Sequence, residues 1–121
     1  MRWTIIALVG ILPVAAMAQR PGRSEAAVQS RSIAERNHLG LLEYCRGQGM
    51  IGDEAVILQR RLVTSLPAVP GQDVEAAGRQ GLIVFETSQA TFTQSAAAQG
   101  ITVRFSCEQT ALRVLRQEGG G

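Results

Sequence analysis

The stretch Ser32–Gly47, SIAERNHLGLLEYCRG, reads as one amphipathic helix, and the fold class follows from it. Ser32 and Glu35 stand at capping-box spacing, where a serine hydroxyl and a glutamate carboxylate each satisfy an orphan amide at a helix start. Ala34, His38, Leu41, Leu42 and Cys45 recur every three or four residues and share one face, with Glu35, Arg36, Glu43 and Arg46 mostly off it. Arg46 suits the negative end of the helix and Gly47 supplies a left-handed stop. Cys45, the first of two cysteines, therefore faces inward near the end of a helix.

Before this stretch, Ser24 and the run Ala26, Ala27, Val28 offer an earlier start. Residues 19–31, with Pro21 and Gly22 among polar and small neighbours, are otherwise expected to form a flexible mature N-terminus. Residues 1–18 have the three regions of a secretory signal peptide: Arg2, the apolar run from Trp3 to Ala16, and small residues around a cut placed after Ala18. Gly10 and Pro13 interrupt that run, which is shorter than the roughly 20 apolar residues a membrane span needs. Cleavage there leaves 103 of 121 residues, enough for one small helical domain over 32–117 with a disordered tail at 118–121. The chain holds 12 arginines, no lysine and 10 acids, so loss of Arg2 leaves a net charge near +1 and no electrostatic footprint for nucleic acid.

After Gly47, Asp53 is placed to cap a second helix, with Glu54 in its first turn and Arg60 and Arg61 near its other end. Ile51, Ala55, Leu58, Leu62 and Leu66 keep the helical repeat, Val56 and Val63 widen the stripe, and Pro67 ends it. The short link predicts a helical hairpin. Asp73 can cap a brief, alanine-rich surface helix from Val74 to about Gln80. Leu82 to Phe85 is the most strand-like run in the chain. Its only available partner is Thr91 to Thr93, so a short extended segment at 82–87, inserted into the helical core, is expected ahead of a two-stranded ribbon. Thr91 or Thr93 starts a short helix closed by Gly100, and Thr102 caps a last helix from Val103 to about Gln117. Val103, Cys107, Ala111, Val114 and Leu115 mark its inner face, broadened by Phe105 and Leu112. The helix, tight turn and helix around Gly100 look like half of a DNA-reading helix-turn-helix. Export and the sparse arginines of the last helix argue against that role.

An even cysteine count in an exported chain, each cysteine on the apolar face of its own helix, implies a Cys45–Cys107 disulfide clamping the first long helix to the last. His38, the one histidine, lies two turns from Cys45, about 10 Å along the axis, which is too far for tight chelation with the cysteines. It is expected to be partly buried or paired with Glu35, and no metal or cofactor is expected. One histidine leaves no spare base, and no Gly-x-Ser-x-Gly, His-Glu-x-x-His or phosphate-loop pattern occurs, so no catalytic set can be assigned and the chain is not expected to be an enzyme.

The run Asn37, His38, Leu39, Leu41, Leu42, Glu43, Tyr44, Cys45 and Gly49, followed by Gln59 and Arg60, resembles a group of short exported bacterial two-cysteine proteins. Some of these are identified as pore-forming, early-secreted-antigen-type proteins. The architecture also looks like that of small acid-stress chaperones of the periplasm, helical and held by one disulfide. Together these readings imply an all-α bundle of four or five helices, periplasmic or secreted. Its expected role is non-catalytic binding to an unknown envelope protein, with action on a membrane surface as the alternative.

Overall fold

Helix α1 spans Glu25–Gly47, and the other elements pack around it in the computed structural model, which describes residues 24–71, 73–85 and 88–120. The helix begins before the Ser32 box. Ser24 is its cap, with the Ala27 amide donating to Ser24 Oγ at 3.0 Å. Glu25 sits in the positive first turn and two alanines follow, so residues 25–31, expected to be flexible, are helical. Ser32 is instead fully buried in mid-helix. Its hydroxyl donates to the Pro67 carbonyl at 2.6 Å and accepts from Arg36 Nε at 3.2 Å, tying α1 to the end of the next connection. The expected signal peptide and its cut after Ala18 lie outside the described residues.

The remaining elements are α2 (Glu54–Thr64), α3 (Val74–Arg79), β1 (Leu82–Val84), β2 (Gln89–Thr91), α4 (Phe92–Gln99) and α5 (Val103–Gly120). Among the described residues this is an all-α bundle of five helices with one disulfide and a short two-stranded sheet. The strands pair antiparallel with Ile83 opposite Ala90, so the extended segment forms a ribbon, the second-ranked expectation, but with Gln89–Thr91 as partner in place of Thr91–Thr93, since Phe92 and Thr93 already belong to α4. The physical reason is Asn37. Its Nδ2 donates to the Leu82 carbonyl at 2.9 Å and its Oδ1 accepts from the Val84 amide at 3.1 Å. That is the bonding of a neighbouring strand's peptide unit, presented by one side chain along the outer edge of β1. The same Nδ2 reaches the Val74 carbonyl at 3.1 Å. A ribbon too small to stand alone is thereby fixed to α1 and α3.

Asp53 stands at the start of α2 but makes no cap hydrogen bond, its carboxylate lying 3.5 Å from Arg46 Nη1 instead. The buried stripe of α2 is Ala55, Val56, Gln59 and Val63, rotated from the leucine stripe read in sequence. Helix α3, capped as expected by Asp73 (Ala76 N to Oδ1, 2.9 Å), is not a surface helix. Val74 and Gly78 are buried because Gly40 of α1 and Gly78 of α3 let the two backbones meet with no side chain between them. Thr91 and Gln94 form a reciprocal capping box for α4, and Gly100 closes it in the left-handed conformation, φ 72°. Thr102 Oγ1 accepts from the Phe105 amide at 3.0 Å to start α5. That helix runs to Gly120 in place of ending near Gln117, since no proline breaks its hydrogen-bond ladder.

The core has two lobes on either side of α1. Leu39 and Leu42 meet Ala55, Val56 and Val63 of α2 and Ala111 and Val114 of α5. Leu41 and Cys45 meet Phe92 and Cys107, with Tyr44 edge-on to Phe92 at a centroid distance of 6.3 Å. Helix α5 touches the core along a single stripe, so Phe105 and Leu112, expected to broaden its inner face, stay 46% and 39% exposed.

Candidate functional site

Cys45 and Cys107 form the expected disulfide, with Cα atoms 5.7 Å apart and both side chains fully buried. Joining the last turn of α1 to the second turn of α5, it holds α5 against the bundle from one side. Oxidised and enclosed, the two sulfurs have no thiolate to offer a metal. Among the described residues no group of three His, Cys, Asp or Glu side chains is placed to hold a metal ion.

His38 pairs with Glu35 as the sequence suggested, Nδ1 lying 3.6 Å from Oε1, with the side chains 35% and 23% exposed. Gln59, on the facing stripe of α2, donates Nε2 to both the backbone carbonyl and Oε1 of Glu35 at 2.9 Å. Thr110 and Arg113 of α5 complete a pocket of about 120 Å³ around this pair. Burial holds the imidazole below its usual pKa, the positive charge of Arg113 lowers it further, and Glu35 opposes both through charge and a hydrogen bond. A neutral imidazole beside an engaged carboxylate is a weak base, and no hydroxyl or thiol nucleophile bonds to it among the described residues.

A second polar cluster joins three helices. Glu43 of α1 and Glu75 of α3 lie together between Arg60 of α2 and Arg79 of α3, with Arg60–Glu43 at 2.7 Å and Arg79–Glu75 at 2.9 Å. Burial raises the Glu75 carboxyl above its usual value, helped by the hydrogen bond and charge of Glu43 and opposed by Arg79 and Arg60. Paired carboxylates can perform acid–base chemistry, but here both are held by guanidinium groups, as in a helix-to-helix lock.

A wider opening lies elsewhere. Residues of α4, the Gly100 turn and α5 line an open groove of about 560 Å³. Phe92, Ile101 and Phe105 supply its apolar surface, and Arg113 and Arg116 its charge. Among the described residues no carboxylate lines it, and neither arginine makes an ion pair. Arg113 and Thr110 belong to both this groove and the His38 pocket, so the two adjoin. The sequence carried one hint of this surface: Phe105 departs from the Cys107–Ala111–Val114 stripe, onto a second face of the helix that it shares with Leu112, seven residues on and beside the groove lining.

Among the described residues no helix is long and apolar enough to cross a membrane. No family model, curated protein or solved structure matches the chain.

Proposed function

We propose that the chain is an exported, non-catalytic binding protein of the bacterial envelope that engages its partner through the α4–α5 groove. The observation that carries this reading is the groove itself, where apolar surface and two guanidinium groups without ion partners among the described residues face solvent on a frame clamped by a buried disulfide. Such surface is costly to leave uncovered, and mixed aromatic and arginine patches suit protein recognition. The signal-like N-terminus and the disulfide support an oxidising compartment.

Site-specific photo-crosslinking in cells tests the reading. A crosslinker replacing Gln109 in the groove is expected to capture a discrete envelope protein, while one replacing Ile57, exposed on α2, captures none. Equal labelling from both sites, or none from Gln109, counts against it. Mass spectrometry of the exported form is expected to give Gln19 as its first residue.

A second reading, action on membranes, draws on Phe105 and Leu112, both exposed on an arginine-bearing helix. It requires dye release from vesicles by the oxidised mature protein at ratios where an inert protein gives none.

A further inference from the structure

Charge and shape together narrow what the groove accepts. Its α5 wall runs from Phe105 to Arg116, about 16 Å at 1.5 Å per residue, the length of three helical turns. Apolar groups lie toward one end, at Ile101 and Phe105, and the guanidinium groups of Arg113 and Arg116 toward the other. The nearest carboxylate in the adjoining pocket, Glu35, is already engaged by His38 and Gln59. Two arginines in a groove without a described acid call for an anionic occupant. A second copy meeting it groove to groove would bring two more guanidinium groups and, among the described residues, no carboxylate to the same surface. A concave cleft between two helices fits a protruding segment better than the flat face of a bilayer.

Resting on the binding reading above, we infer that the α4–α5 groove docks an acidic amphipathic helical segment of a partner protein. One apolar face of that segment packs on Ile101, Phe105 and the neighbouring Leu112. Its Asp or Glu side chains pair with Arg113 and Arg116.

The test is fluorescence anisotropy with the oxidised mature protein and a labelled 18-residue helical peptide that carries leucines seven residues apart flanked by glutamates. Its twin has every glutamate replaced by lysine. The acidic peptide is expected to bind at least tenfold more tightly than the lysine twin and to weaken as salt rises. Arg113→Glu with Arg116→Glu should invert that preference, and Phe105→Ser should weaken binding at least fivefold. These side chains are exposed, so the variants should keep the thermal midpoint of the parent; Arg113→Gln with Arg116→Gln, which should lose binding without inverting it, serves if the double reversal does not fold. Equal binding of the twins, indifference to the arginine changes, or arginine-dependent binding to phosphatidylglycerol vesicles as tight as to the peptide overturns the inference. If the acidic peptide fails to bind while the Gln109 crosslinker captures a partner, the acidic assignment falls and the binding reading stands. If both experiments fail, both fall.

Discussion

Gly40 and Gly78 face each other where α1 meets α3, and neither position has room for a Cβ atom. One added at Gly78 would stand 2.5 Å from the Asn37 carbonyl oxygen and 2.8 Å from the Leu41 amide nitrogen, and one at Gly40 would overlap the Glu75 carbonyl. All these neighbours are backbone, which cannot swing aside. The short helix α3 owes its position to this contact, and so does Glu75 in the arginine-bound cluster.

Gly40→Ala and Gly78→Ala are therefore each expected to destabilise the fold by about 2–3 kcal/mol or more through overpacking. For a domain of this size that is a fall in Tm of roughly 10 °C or more. Gly47→Ala, where nothing lies within 4 Å of the added atom, should be near neutral. Thermal melts of the three variants decide the matter, and equal melting of all three would disprove the tight crossing.

Asn37→Asp keeps the shape of the side chain but turns Nδ2, which donates to the Val74 and Leu82 carbonyls, into an oxygen that repels them. The expected loss is about 3 kcal/mol, since buried polar groups lose their partners. The Val84 amide keeps its acceptor in this variant and loses it in Asn37→Ala. Hydrogen exchange at Val84 should accordingly rise more in Asn37→Ala at matched stability.

Removing the Cys45–Cys107 bridge frees a loop with a sequence separation of 62. The chain-entropy description gives roughly 4 kcal/mol for such a crosslink. The double variant Cys45→Ala, Cys107→Ala should show a urea midpoint lowered accordingly. In the parent, both sulfurs being buried, reduction by dithiothreitol should be slow until the fold opens.

His38 supplies a pH signature. Its pKa is lowered on folding, mainly by burial and then by Arg113, so the unfolded chain takes up the proton first. The stability it contributes is present above the unfolded value near 6.5 and is lost as pH falls through the lower folded value. Glu75 has the opposite sign: its raised pKa favours the folded state below the unfolded value near 4.5, an advantage lost as pH rises through the folded value. NMR titration of the single imidazole should give a midpoint below 6.5. The fall in urea midpoint between pH 8 and pH 5.5 should be smaller in His38→Gln than in the parent.

The apolar periodicity around Cys45, the turn residues at Gly100 and the cap residues Asp73, Thr91 and Thr102 were legible because each acts within one helical turn of its own position. What periodicity could not show was packing between distant segments. Ser32, Asn37 and Gln59 are polar residues in the core, satisfied by carbonyls and amides 24 to 47 positions away, so their burial leaves no local mark. Gly40 and Gly78 are contact points between helices, and a glycine within a helix carries no local sign of that, which hid the docking of α3. Phe105 and Leu112 read as core because apolar residues on a long helix are normally covered, and here the described elements leave both exposed. The groove is open space beside the α4–α5 contact, and one-dimensional patterning cannot register it.

Asn37 also occupies a strand edge. An exposed strand edge is a template on which other chains can add strands and aggregate. On β1 that edge is already occupied by a carboxamide, and on β2 the Thr91 amide is held by Gln94 Oε1 at 3.0 Å. Two side chains thus occupy outward-facing groups on both strands, without a third strand. Asn37→Ala would free the β1 edge, turning a stability defect into a nucleus for precipitation.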